Sequence, residues 1–134
     1  MTTWLLAEDE PDLHEVLLAL CNLWQIDGLA FKNGETVLDW IERVEAGEFG
    51  DYLPKLALLD IRLPNASGLE ISARLRQSER LKDMAIVLMT AYHLSPKDEQ
   101  AALEKSGANL LMYKPLPSVI ELRNILDGVV AQGI

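Results

Sequence analysis

Glu8 and Asp9 stand side by side after the apolar run WLLA, Asp60 follows LALL, Thr90 follows AIVLM, and Lys114 follows NLLMY. Carboxylates from two separate runs suit a hard divalent cation, which takes oxygen ligands. A hydroxyl and an ammonium suit an anion carrying several acceptor oxygens. Each residue sits just past a short apolar stretch. In an open parallel α/β sheet, ligand sites form outside the carboxyl ends of the strands. Four such strands side by side would bring the whole set to one edge, where cation and anion chemistry could meet.

The elements that must position these residues alternate along the chain. Residues 3–8 read as a buried strand. Pro11 then opens a helix with Leu13, Val16, Leu17, Leu20 and Trp24 at helical spacing. Residues 28–33 form a second, more exposed strand that Gly34 breaks, and Val37, Leu38, Ile41 and Val44 mark a second helix ending near Gly47. The stretch 45–55 is polar, with glycines and a proline, and reads as a surface loop. LALLD is the third strand, 63–68 a turn, and Leu69, Ile71 and Leu75 mark the third helix. AIVLM is the fourth strand, and a fourth helix runs from near Ser95-Pro96 to Gly107. NLLMY is the fifth strand, and the last helix starts at about Pro117 with Val119, Leu122, Leu126 and Val129 on one face. The strands are apolar throughout rather than alternating, as when helices cover both faces of a parallel sheet. With right-handed crossovers, the pattern predicts an α/β fold, (βα)5, with a doubly wound five-stranded parallel sheet.

Composition narrows the function classes. The 134 residues are expected to form a single domain, 1–134, with a real core and no output domain. The 49% hydrophobic share suits a globular protein, and no apolar stretch is long enough to span a bilayer. No basic segment precedes the first apolar residues, so no export signal is expected. With one cysteine, Cys21, a disulfide framework is excluded, and a cytoplasmic location is expected. Cys21 reads as a small core residue beside a helical apolar stripe. A net charge of −9 argues against direct nucleic-acid binding, and no membrane contact is expected. Arg74, Arg76 and Arg80 are loosely grouped and read as a solvated helix face. His14 and His93 read as surface histidines, and Trp4, Trp24 and Trp40 as packing residues.

The segments LLAEDEP, LALLDIRLPNASGLE, VLMTA and YKP, in this order and spacing, resemble those of the response-regulator receiver domains of two-component signalling. The resemblance covers essentially the whole chain. It implies a flavodoxin-like fold with strand order 2-1-3-4-5 and helices on both faces. It also implies a role for each singled-out residue. Asp60 corresponds to the phosphoacceptor, which would take a phosphoryl group from a sensor histidine kinase or phosphotransfer protein and form an aspartyl-phosphate. Mg2+, with Mn2+ able to substitute, would be held by Asp9, Asp60 and the backbone carbonyl of Arg62, with Glu8 acting through water. Thr90 and Lys114 would contact the phosphoryl oxygens, and Lys114–Pro115 is a candidate cis peptide. Output would pass to an effector protein through the face of the fourth helix, fifth strand and fifth helix, and phosphorylation could bring a homodimer. Such a module phosphorylates and dephosphorylates itself but is not a turnover enzyme.

Several positions depart from the commonest pattern of that family. Arg62 and Tyr92, two residues after Asp60 and Thr90, are bulky and offer no carboxylate or amide to orient a water, so a long-lived phosphoryl group is expected. Leu111 stands where many relatives have Tyr or Phe, and Leu116-Pro117-Ser118 replaces the usual Phe-containing entry to the last helix. The switch is therefore expected to rest on the Thr90 loop, with Tyr92 and His93, and on the fourth helix; the alternative gives Tyr113 the reporter role. Taken singly, Asp60 could be a turn residue, Asp9 a helix-start residue, Thr90 a strand end, and Lys114 a commonplace residue before proline; together the four segments oppose those readings. Two other classes remain: a receiver-like interaction module that takes no phosphate, and an Asp-nucleophile phosphohydrolase. The latter resembles DxD at its nucleophile, and here the second position is Arg62.

Overall fold

The apolar runs WLLA, LALL and AIVLM become central strands because helices cover both of their faces, and NLLMY forms an edge strand. The computed structural model describes residues 1–132. The elements are β1 (Thr3–Ala7), α1 (Pro11–Leu23), β2 (Asp27–Phe31), α2 (Gly34–Glu45), β3 (Leu56–Asp60), α3 (Gly68–Gln77), β4 (Ala85–Thr90), α4 (Pro96–Ser106), β5 (Leu110–Tyr113) and α5 (Val119–Gln132). All strand pairs are parallel, in the order β2-β1-β3-β4-β5. This is the expected doubly wound sheet.

Alternation along each strand divides the core in two. Leu5, Ala57, Leu59, Ile86 and Leu88 pack with Val37 and Ile41 of α2 and with Ile71 and Leu75 of α3. Leu6, Leu56, Leu58, Val87 and Met89 point the other way, onto Leu17 of α1 and Leu122 and Leu126 of α5. Truncating one such leucine to alanine typically costs about 2–5 kcal/mol, so the sheet edge is a stiff platform. Edge strand β2 is only partly buried.

Local chemistry sets the helix ends. The Glu10 side chain accepts from Asp12 N and Leu13 N at the start of α1, where Pro11 fits because the first turn needs no N–H from it. Asn33, Ser67 and Ser95 cap α2, α3 and α4, and Gly107 ends α4 in the left-handed region at φ 73°.

Several expectations need correction. β1 stops at Ala7 and β2 spans Asp27–Phe31 rather than 28–33, although Glu8 N still donates to Phe31 O at 3.1 Å. Gly34 opens α2 directly, and α5 begins at Val119 rather than near Pro117, with Ser118 Oγ accepting from Glu121 N. Val16 and Val119 are exposed, because the buried stripes of α1 and α5 are narrower than their apolar spacing. His14 is buried, not superficial.

The three arginines do not form a solvated face. Arg76 is half-buried and donates to Gly107 O, Lys82 O, Met84 O and Asn109 Oδ1. Arg80 lies past α3 and reaches the carbonyls of Val44 and Gly50, and Arg74 pairs with Glu45. Trp4 and Trp40 are buried and Trp24 is partly buried; Trp4 and Trp24 meet edge to face at 6.0 Å.

Cys21 is only 2% exposed, in the α1 half of the core. Burial pushes its thiol up to about 11, Arg123 opposing and Asp27 adding to the rise. Below that value the thiol keeps its proton, and the thiolate is the nucleophile. Alkylation by iodoacetamide at pH 7.5 should therefore run at least about a hundredfold slower in the native protein than in the urea-unfolded chain. Mass spectrometry over time checks this; equal rates would place Cys21 outside the core.

Candidate functional site

The parallel register delivers the singled-out residues to one edge. Asp60 and Thr90 end β3 and β4, Glu8 and Asp9 directly follow β1, and Lys114 directly follows β5. Lys114 N donates to Thr90 O at 2.9 Å, which fixes the lysine beside β4. The Lys114–Pro115 peptide is cis.

Lys114 is the hub. Its Nζ donates to Asp60 Oδ2 at 2.9 Å and lies 2.7 Å from Glu8 Oε1. The second contact is a charge pair without hydrogen-bond alignment, so buried Glu8 Oε1 has no aligned donor. The remaining carboxylate oxygens are held by backbone: Glu8 Oε2 accepts from Glu10 N at 3.0 Å, and Asp60 Oδ1 accepts from Arg62 N at 3.0 Å. Glu8 is 0% and Asp60 5% exposed, whereas Asp9 is exposed. Thr90 is buried, and its Oγ1 accepts from Tyr92 N at 3.1 Å.

The electrostatics follow from that crowding. Burial raises the pKa of the Glu8 carboxyl above the usual range; Lys114 and the Glu10 N–H counter the rise, and Asp60 adds to it. Burial pulls Lys114 down, but Glu8 and Asp60 outweigh it and hold the ammonium above its ordinary value.

Oxygens of Glu8, Asp9 and Asp60 all lie within 4.8 Å of one another. Two unit charges that far apart repel by about 3 kcal/mol at an effective dielectric near 20, and a single ammonium cannot neutralise three carboxylates. An all-oxygen set with one exposed member and one oxygen lacking an aligned donor fits a hard divalent cation that keeps several waters.

Three residues of the surround have roles that differ from, or add to, their sequence reading. Gly68 opens α3 against Asp60: a Cβ there would sit 2.4 Å from Asp60 O, so only glycine fits. Gly34 has the same constraint against Ala66 O at 2.2 Å, and its N–H donates to Pro64 O. His14 contacts Glu8 O through Nδ1 at 2.9 Å. The glycines could have been flagged by their places just before helical runs; His14 carries no local signal, because its partner lies six residues away.

At the mouth of the site, the exposed Arg62 guanidinium lies over the Tyr92 ring at 4.5 Å. Both line an open cleft of about 460 Å³ with Asp9, Asp60 and Lys114. Leu111 is buried in the core, away from any switch-like polar contact. Tyr113, two residues on, donates its hydroxyl to Glu99 Oε1 on α4 at 2.6 Å and stacks on His93 at 4.8 Å.

Comparison with known proteins agrees with this geometry. The family described as "Response regulator receiver domain" matches residues 4–127. Among curated relatives, probable methanogenesis regulatory protein FilR2 of Methanothrix harundinacea is 32% identical over 98 residues, covering 73% of this chain and 60% of that protein. The polar-differentiation response regulator DivK of Brucella ovis is 32% identical over 73 residues, covering 53% of this chain and 58% of DivK. The chain thus spans about three-fifths of the length of these relatives. Response regulator TrrA of Thermotoga maritima, solved with Mg2+ and BeF, superposes with a TM-score of 0.74 at 26% identity, over 96% of this chain and 99% of that one. The BeF3-activated receiver domain of Klebsiella pneumoniae RstA gives 0.73 at 25% identity, over 96% and 98%. On the strength of the family match, the flavodoxin-like fold and the carboxylate–lysine edge, this chain belongs to the response regulator receiver domain family of two-component signalling.

Proposed function

We propose that this receiver takes a phosphoryl group from a phosphohistidine, on a sensor histidine kinase or a phosphotransfer protein, onto Asp60. The observation that carries the reading is the Lys114 ammonium held between Asp60 and Glu8, with the exposed carboxylate of Asp9 alongside. An Asp60 oxygen would attack phosphorus as the donor P–N bond breaks, the electron pair leaving on the donor imidazole. Lys114 would pair with an equatorial phosphoryl oxygen, and Thr90 would donate its hydroxyl to another. Asp9, Asp60 and the Arg62 backbone carbonyl would hold Mg2+, with Glu8 reaching it through water. When bound, that ion offsets the repulsion between carboxylate and anionic donor and stabilises the charge of the transfer.

Asp60 would accept one group per encounter and carry it as an aspartyl-phosphate, so the module is read as a switch rather than a turnover enzyme. Arg62 at the position where a phosphohydrolase would carry an acid/base carboxylate supports that reading.

Small phosphodonor with Mg2+ should add one phosphoryl group to the wild type and none to Asp60→Asn, read by intact-mass spectrometry. An undiminished adduct in the variant would reassign the acceptor; no adduct on the wild type would favour the interaction module that takes no phosphate.

The Arg62–Tyr92 cation–π pair lines the cleft beside Asp60 and offers no carboxylate or amide to orient an attacking water. The adduct should be long-lived. Replacing the pair by Arg62→Asn with Tyr92→Glu should speed phosphate loss at least about tenfold, equivalent to about 1.4 kcal/mol of barrier. A timed release assay with unchanged rates would remove the pair from control of lifetime.

Output is assigned to the face of α4, β5 and α5, which would take an effector protein or a second copy of the chain. Thr90 pairs in register with Tyr113 across β4 and β5, and Tyr113 is tied to α4 by Glu99. These contacts favour a reporter role shared between the Thr90 loop and Tyr113, with none for Leu111. In beryllofluoride–Mg2+ complexes followed by amide NMR, shifts on α4 should vanish in Thr90→Ala and shrink in Tyr113→Leu. Full shifts in Tyr113→Leu would return the switch to the loop alone.

A further inference from the structure

Among the described residues, Asp9 is the one carboxylate of the site whose side chain makes no hydrogen bond, whereas Glu8 and Asp60 are each paired with Lys114 and a backbone N–H. Asp9 is also exposed, so packing does not fix it. The direction of its Cα–Cβ bond, and so the arc its carboxylate can reach, is set by the two peptide groups that flank its Cα. Both are clamped. The Asp9–Glu10 peptide gives its N–H to Glu8 Oε2 at 3.0 Å. The Glu8–Asp9 peptide has its carbonyl oxygen 2.9 Å from His14 Nδ1.

The second clamp has a definite chemistry. A carbonyl oxygen only accepts, so Nδ1 carries the proton and donates. The bond is buried, where water does not compete for it and a missing donor would leave the carbonyl unsatisfied. His14 is itself fixed: it stands in the first turns of α1, its backbone N donates to Glu10 O at 2.9 Å, and it is only 8% exposed. The ring therefore ties the loop after β1 to the rigid helix that follows.

We infer that His14 is a positioning residue for the divalent-cation site. By holding the Glu8–Asp9 peptide plane, it aims the otherwise ungripped Asp9 carboxylate at the point where Asp60 can share an ion. This inference rests on the phosphoacceptor reading above and adds a residue to it. Donors behind a metal ligand set the ligand's orientation, and their loss commonly weakens metal binding by about 10–100-fold.

The test uses the whole chain and Mg2+ alone, without phosphodonor, followed through the amide signals of Asp9 and Asp60. His14→Leu keeps the bulk and removes the donor. His14→Asn keeps an N–H the same number of bonds from Cα as Nδ1. Mg2+ affinity should fall by about tenfold in His14→Leu and stay within about twofold of wild type in His14→Asn. Urea unfolding of each variant separates this from stability: a residue that is merely structural would lower stability without separating the two variants in Mg2+ affinity. If His14→Leu does not give a folded spectrum, His14→Met replaces it, since its flexible chain adapts to the space. Wild-type affinity in the donorless variant, or an equal loss in His14→Leu and His14→Asn, overturns the inference. A wild-type protein with no Mg2+ shifts at Asp9 or Asp60 instead overturns the phosphoacceptor reading itself.

Discussion

Like charges forced together at the end of a sheet set the terms for this molecule. Glu8 and Asp60 are almost wholly buried, and both face the same ammonium. Without Lys114, burying two carboxylates side by side would cost several kcal/mol and one would take up a proton instead. With it, the pair stays poised and short of positive charge. The surplus negative charge makes the edge receptive to a cation, and the ammonium makes it receptive to an anion. Backbone N–H groups of Glu10 and Arg62 complete the arrangement by fixing Glu8 Oε2 and Asp60 Oδ1, the two oxygens that Lys114 does not contact.

The rest of the fold keeps that arrangement from relaxing. A carboxylate cluster on mobile loops would spread apart; here each member is within a residue or two of a strand end in a sheet packed on both faces. Close approach does the finer work. Gly68 lets α3 begin directly against the Asp60 carbonyl, and Gly34 lets α2 press on the following loop at Ala66. A methyl group at either place would push backbone against backbone, and displacements of a few tenths of an ångström matter at a site built on aimed oxygens.

What could be read from the sequence was whatever depends on short segments. Four apolar runs, WLLA, LALL, AIVLM and NLLMY, each followed by a polar residue of a particular type, reveal four of the strands and the residues at their ends. Relations across distance were not readable. Val16 and Val119 have the right spacing for a buried stripe, yet the neighbouring helix surface leaves them outside. Arg76 looks like any surface arginine until α3 is placed beside the end of α4, where four acceptors surround it. Arg62 and Tyr92 are thirty positions apart in the chain and meet only because β3 and β4 are neighbours. The burial of His14 is illegible for the same reason: it comes from how α1 leans on the loop before it.

The arginine clamp also has a mechanical meaning. Among the described residues, α4 has Ser106 as its one fully buried residue and packs Leu103 on the core only partly buried. Its far end is another matter: Ser72 Oγ donates to Ser106 O, and Arg76 donates to Gly107 O. At the near end, beside the site, the side-chain hydrogen bond to β5 among the described residues is that of Tyr113 to Glu99. A rod fastened at one end and lightly latched at the other moves as a lever. Eleven residues make an arm of about 16 Å at 1.5 Å per residue. A swing of about 10° around the Ser106–Gly107 fulcrum would carry the near end about 3 Å, enough to break a hydrogen bond there while leaving the fulcrum unmoved.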